Sequence, residues 1–255
     1  MIENHPGGGG ILAIESTVKT KFHNTTLLVT NNNLWSLPLT HNTKDYFLEL
    51  ELITAIGFTT NCLVINSSLP LYKINELISF IKKNPNKINY ASSSIGSQSH
   101  LIMELFKDLN KLEIINVPYK GSQPALMSLM TGETQMMFTQ IPIVLPHTKN
   151  NKIKILAVTS KNRSIFLENV ITLSEYYPNF VYDTVYAVYS SKNMDNKNQS
   201  DIRNKILLLL NTDDIQKKFY NNGIELDIKM DIKKIGDREK NVYQKFYNKL
   251  NKEIL

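Results

Sequence analysis

A single cysteine, a single tryptophan and no long apolar run set the first limits on this chain. With Cys62 alone, an intramolecular disulfide, a CxxC redox pair and a cysteine zinc cluster are all excluded. Cys62 precedes the apolar run Leu63, Val64, Ile65 and reads as a buried strand thiol, not a nucleophile. Without a second cysteine the redox compartment stays undetermined. No stretch approaches the ~20 apolar residues of a spanning helix, which excludes a membrane span of that kind. His5, His23, His41, His100 and His147 are scattered without HxxxH or HExxH spacing, and no G-x-x-x-x-G-K-[ST] loop occurs, so neither a metal nor a nucleotide cofactor is expected. Met1 to Gly10 reads MIENHPGGGG and lacks a basic start, an apolar core and a small-residue cleavage site, so the chain as written carries no secretory signal. Gly7 to Gly10 follow no strand and read as a flexible turn.

What is present is enough for real cores. With 255 residues, 42% apolar and 20% charged, the chain can form one large domain or two lobes of about a hundred residues each. The net charge of +6 and the pI near 9.1 suggest an anionic partner. Yet Lys82, Lys83, Lys152, Lys154, Lys217 and Lys218 alternate with Ile, Asn and Asp, which describes a solvated surface and no nucleic-acid patch.

The order of elements is α/β. TLLVT at Thr26 to Thr30 reads as a strand before a turn at Asn31, Asn32 and Asn33. Leu52 to Ser67 is a long β-rich run, able to link two lobes. Ile74, Leu77, Ile78 and Ile81 recur at helical spacing until Pro85. There follow a strand at Lys87 to Ser92, a helix at Gln98 to Leu109, a strand at Glu113 to Tyr119 and a helix at Gln123 to Thr131 that stops at Gly132. A strand at Gln135 to Thr139, a short helix at Ile143 to Lys149 and a strand at Ile153 to Thr159 come next. After Pro178 a strand at Asp183 to Tyr189 leads into a loop at Lys192 to Asn198. Helices at Gln199 to Leu210, Asp213 to Asn221 and Asp231 to Leu250 complete the chain, with Gly223 as a break. Strands alternating with helices imply parallel pairing.

The informative motif is YASSSIGSQSH at Tyr90 to His100, where a strand ends in hydroxyl residues, passes Gly96 and opens a helix. Unpaired amides, a positive dipole end and several hydroxyls suit a carboxylate or similar anion. Ser97 or Ser99 acting only as a helix cap is an equal alternative from the residues alone. A second corner has the same form, with Ile114 to Val117 running through Pro118, Tyr119, Lys120, Gly121 and Ser122 into a helix. Tyr119 offers a ring or a hydroxyl and Lys120 a charge, although a solvated Lys120 is equally natural. Ligands of open α/β sheets gather at the carboxyl ends of strands, so two such corners point to one cleft. A serine hydrolase built on Ser93 to His100 lacks the G-x-S-x-G elbow, since the sequence has Ser94, Ile95, Gly96, Ser97 there. His100, inside the helix, is expected to face solvent or a neighbouring loop.

These residues resemble the Bug-type extracytoplasmic solute receptors of tripartite tricarboxylate transporters. The resemblance runs through ENHPGGGG at Glu3 to Gly10, NSSLP at Asn66 to Pro70 and YASSSIGSQSHL at Tyr90 to Leu101. It continues in VPYKGSQPALMSLMTGETQMMF at Val117 to Phe138 and LAVTSKNRS at Leu156 to Ser164. It implies a type II periplasmic binding-protein fold, with two α/β lobes around a ligand cleft. Lobe one would comprise 1–67 and 183–255, and lobe two 68–182. It further implies a monomer that binds a small carboxylate without cofactor or catalytic residue and serves transporter subunits in the membrane. Candidate ligand residues within matching motifs are Ser92, Ser93, Ile95, Gly96, Ser97, Ser99, Tyr119, Lys120 and Gly121. The resemblance implies a periplasmic location, whereas a cytoplasmic one would follow if Met1 were the true start.

The departures matter too. Members of the family carry a signal sequence, a first strand and a glycine-rich loop ahead of the ENHPGGGG segment. Here that segment opens the chain, so the first strand and helix of lobe one are expected to be missing and lobe one to be the less stable. A non-binding remnant of such a receptor is therefore the alternative. Asn31 to Asn33 stand where glycine and small residues are usual, and asparagine in the left-handed conformation would preserve the turn. Thr139 stands where aspartate is common, which changes the charge near the cleft.

Overall fold

The computed structural model describes residues 1–5, 7–22, 25–41 and 45–253. Pro6 of the ENHPGGGG segment and His23 lie outside the described residues, as does the side chain of His41.

The first elements in chain order are α1 (Ile11–Val18), β1 (Leu27–Asn31), α2 (Asn33–His41), β2 (Leu50–Asn66), α3 (Ile74–Lys83) and β3 (Asn89–Ser92). They continue as α4 (Gln98–Asn110), β4 (Ile115–Pro118), α5 (Ser122–Thr131), β5 (Met136–Gln140), α6 (Ile141–Val144) and β6 (Ile153–Val158). The last are β7 (Asp183–Ser191), α7 (Asn196–Leu210), α8 (Asp213–Asn221), β8 (Glu225–Leu226) and α9 (Ile232–Glu253). The chain divides into two compact units, Met1–Phe58 with Val185–Leu255, and Thr59–Thr184. The residues of β2 are shared between the units, Leu50 to Phe58 in the first and Thr59 to Asn66 in the second.

In the first unit β7 lies between β1 and β2, and β8 pairs with β2. β1 and β7 are antiparallel, from Leu27↔Ser190 to Asn31↔Tyr186. Their buried faces join Ile14, Leu34, Trp35, Leu37 and Ile232 in one core, and Ile53, Ile56, Val188, Met194 and Leu210 form another. Two close approaches require glycine. A Cβ on Gly57 would sit 2.1 Å from the Glu225 carbonyl oxygen, and one on Gly236 would sit 2.8 Å from the Trp35 ring. The expected left-handed asparagine turn does not form, because among the described residues Asn86, Lys111 and Asn151 are the non-glycine ones with positive φ. Instead Asn31 Oδ1 accepts from Asn33 N (3.0 Å), so that α2 starts at once. Asn32 accepts from Val185 N (2.7 Å) and donates to both carboxylate oxygens of the buried Glu239 (2.9 and 2.8 Å). The glycine segment forms a short turn in which Gly10 (φ 110) precedes α1. The loop expected through Asn198 is shorter, since Asp195 Oδ1 accepts from Asn198 N (2.9 Å) and begins α7 at Asn196.

In the second unit the strand order is β2-β5-β3-β4, with β6 also on β2. The parallel pairing expected from alternation is present, but the sheet as a whole is mixed. β3 is parallel to β4 and β5, but β2 is antiparallel to β5 and β6, because β2 is a long connecting strand outside the β-α-β sequence of its neighbours. α3 buries Ile74, Leu77 and Ile81 on one face, and the carboxylate of Glu76 accepts from the Lys73 amide (3.2 Å). Phe106 of α4 meets the rings of Phe138, Tyr177 and Phe180 edge-on, which anchors the helix on one face of the sheet. On α5's side, Cys62, Ala91, Ala125, Leu126, Leu129, Met137 and Ile141 form a continuous core. Cys62 is fully buried there, its Sγ 3.3 Å from the Thr139 carbonyl oxygen, and burial pushes its pKa far up, as befits an inert thiol. The short helix expected from Ile143 starts earlier, at Ile141, with a tighter turn at Leu145–His147. No helix among the described residues is long and apolar enough to cross a membrane.

Candidate functional site

Both corners singled out in the sequence lie at carboxyl ends of neighbouring parallel strands in the second unit. β3 and β4 pair with Ser92 opposite Pro118. The ladder then runs on into the loops, with Tyr119 N donating to Ser92 O (2.9 Å) and Gly121 N to Ser93 O (2.8 Å). The β3–α4 and β4–α5 corners are therefore bonded to each other. The registers Ala91↔Val117 and Ala91↔Met137 place Tyr119, Ser93 and Thr139 each two residues further along adjacent strands.

At the β3–α4 corner the hydroxyls bond among themselves. Ser97 is the N-cap of α4, where its Oγ accepts from His100 N (3.4 Å) and donates to Ser94 O (2.7 Å). Ser99 Oγ accepts from Ser93 N (3.0 Å) and lies 3.2 Å from Ser93 Oγ and 2.9 Å from Ser97 Oγ. Ser92 Oγ donates to Asn116 Oδ1 (2.8 Å), so this side chain braces β3 against β4. The side chain of Ile95 is exposed, at 57% of its surface. Gly96 has φ 76, the left-handed region open to glycine, and its N–H donates to His100 Nδ1 (3.2 Å).

His100 thus faces the neighbouring loop. Its ring stacks on Tyr90 at 6.4 Å, and Tyr90's hydroxyl reaches Glu104, which also binds Lys107. Burial lowers the His100 pKa, Lys107 lowers it further and Glu104 opposes both. A neutral ring with Nδ1 as acceptor is the form this geometry uses. Ser97 Oγ meets the backbone N–H of His100, and the ring's Nδ1 is taken up by Gly96 N–H.

The β4–α5 corner relies on backbone. Gly121 precedes α5 at φ 117 and ψ 168, a region essentially restricted to glycine, and no side chain caps the helix. Pro124 removes one amide from the first turn, leaving those of Ser122 and Gln123 as its donors. Tyr119 is half-buried against the α5 core, which raises its pKa; Ser128 and Glu133 lie beside its hydroxyl. Lys120 is exposed. Thr139 Oγ1 is buried with no hydrogen-bond partner among the described residues.

Sequence reading missed a buried amide network. Gln98, in the first turn of α4, donates from Nε2 to Asp183 O (3.0 Å) and accepts on Oε1 from Thr184 Oγ1 (2.5 Å). Asn61 Nδ2 (3.1 Å) and Gln140 Nε2 (3.4 Å) donate to that same hydroxyl. No periodicity marks a glutamine at a helix start as buried, and its partners lie far away in sequence, so no local pattern would have found it.

Comparison with solved structures gives the class. The R. palustris protein solved with adipate superposes at TM-score 0.88 and 24% identity, over 97% of this chain and 85% of that one. The periplasmic binding protein BugD follows at TM-score 0.85 and 21% identity (99% and 86% of the two chains), and MatC from Rhodopseudomonas palustris with bound malate at 0.80 and 19% (98% and 85%). At such identities the likeness is one of fold, and this chain has the two-lobed α/β periplasmic binding-protein fold of the Bug type. Residues 1–235 match the family described as the tripartite tricarboxylate transporter family receptor, and the chain belongs to that family. Protein BugT of Bordetella pertussis is 32% identical over 216 residues, which is 83% of this chain and 64% of BugT. The match thus spans somewhat under two thirds of that relative's length.

Proposed function

We propose that this chain is a carboxylate-binding receptor that holds its ligand against the β3–α4 and β4–α5 corners of the second unit. The observation that carries this reading is the Gly121 N to Ser93 O bond of 2.8 Å, which brings two strand-to-helix corners together at one place. Helix starts concentrate amide donors and positive potential, which suits a carboxylate. The adipate and malate with which two structural neighbours were solved support that ligand class. The ligand-facing residues are Ser93, Ile95, Gly96, Ser97, Ser99, Tyr119, Lys120 and Gly121, with Ser92 behind them as a brace. Most of the hydroxyls already bond within the loop, so backbone amides and bridging water carry much of the recognition. The activity is binding, without catalysis, by a monomer that serves a tripartite transporter from the periplasm.

A thermal-shift series with malate, adipate and citrate tests this reading. A receptor gains about 2.7 kcal/mol at a ligand concentration one hundred times Kd, and Tm rises with concentration. Gly96→Val should abolish the gain, because a β-branched side chain is strained at φ 76 and blocks approach to the start of α4. A folded wild-type protein that no carboxylate stabilises would mean a non-binding relative of the receptors.

A further inference from the structure

We propose that Gln98 is a positioning residue for carboxylate binding, its side-chain amide fixing the start of α4 and hence the Ser93–Ser99 loop. This inference rests on the reading of that loop as part of the ligand site. Gln98 is 5% exposed, unusual for a glutamine in the first turn of a helix, where solvent normally satisfies the side chain. Burying an amide is costly unless both ends are bonded, and here both are, to Asp183 O and to Thr184 Oγ1.

The Thr184 hydroxyl, itself fully buried, is saturated in a way that fixes Gln98's orientation. A hydroxyl has one proton to give and two lone pairs to fill. Two acceptors lie in reach of its proton, and Gln98 Oε1 at 2.5 Å is far nearer than Asn61 Oδ1 at 3.4 Å, so the proton goes to Gln98 while the lone pairs take Asn61 Nδ2 and Gln140 Nε2. Asn61 Nδ2 is held in turn by Tyr182 O (2.8 Å), which also accepts from Thr159 Oγ1 (2.7 Å). The amide of Gln98 therefore has one orientation that satisfies every partner. Apolar packing around Phe106 holds α4 to the sheet but, being non-directional, does not by itself set the helix's rotation. Directional bonds at the first turn remove that freedom, and a binding site needs its donors within about 0.5 Å of the productive place.

The test combines the variants Gln98→Met, Thr184→Val and their double mutant with two readouts. Calorimetry with malate and with adipate gives Kd, and hydrogen exchange on the ligand-free proteins follows the amides of Ser93, Gly96 and Ser99. Each single variant is expected to weaken affinity about tenfold, and the double no more than either single, because both break one bonded unit. Exchange at the loop amides should rise about tenfold while the amides of α3 keep wild-type protection. Affinity within about twofold of wild type in Gln98→Met, multiplying losses in the double mutant, or exchange raised evenly across the unit would overturn the proposal. If wild type binds neither acid, the receptor reading fails by itself, and loop exchange still decides whether Gln98 positions the loop. Should Gln98→Met not fold, Thr184→Val carries both readouts.

Discussion

At the β3–α4 corner three serine hydroxyls and a histidine fill the turn, whereas at the β4–α5 corner no side chain caps the helix and a glycine conformation does the work. The first corner is held by several individually modest side-chain bonds, so losing one leaves the others in place. The second depends on one residue's freedom to adopt φ 117, and that dependence has no substitute. Two helix starts that look alike in sequence thus differ in how easily they break.

The largest effect is expected from Gly121→Val. It forces a β-branched residue into a glycine-only region and should cost about 1–3 kcal/mol in urea unfolding, with loss of carboxylate binding. An equal cost from Ser97→Ala would erase the contrast between the corners. That substitution removes the N-cap of α4 and should cost about 1 kcal/mol, typical of a lost cap, while Ser99 and His100 still brace the turn.

The third test is pH. Burial holds the His100 pKa below its ordinary 6.5, so the unfolded chain takes up the proton first. The corner's full contribution is present above 6.5 and is lost as pH falls through the depressed folded value, when protonated Nδ1 can no longer accept from Gly96 N–H. The urea midpoint should therefore decline as pH falls from 6.5 to the folded value and level off below it, and His100→Asn, whose Oδ1 remains an acceptor at any pH, should flatten the decline. An unchanged slope in that variant would show that another group titrates. The smallest effect belongs to Lys120→Ala at the exposed edge of the second corner, within about 0.5 kcal/mol in stability.

Much of the second unit was legible because its signals are local. Ile74, Leu77 and Ile81 announce α3, Gly132 in the left-handed conformation (φ 85) ends α5, and Ser97 caps α4 as its place before the apolar stripe suggests. What was misread depends on distant partners. Asn32 answers to Val185 and Glu239 across the first unit, so its turn is built by side-chain bonds in place of a left-handed backbone. The antiparallel pairing of β2 follows from its neighbours and not from its own composition. Gln98 looks like any polar helix residue until Asp183 and Thr184 are beside it. Of the candidate residues, Ser92 and Ser97 already have structural work within the loop, a division that spacing does not reveal.

The most direct test of a single carboxylate site is a titration of isotope-labelled protein with malate or adipate, following the backbone amides of Ser93, Gly96, Gly121 and Ser122 by NMR. Resonances from both corners should move together and fit one dissociation constant. Movement at one corner with the other silent, or changes confined to other parts of the chain, would contradict it.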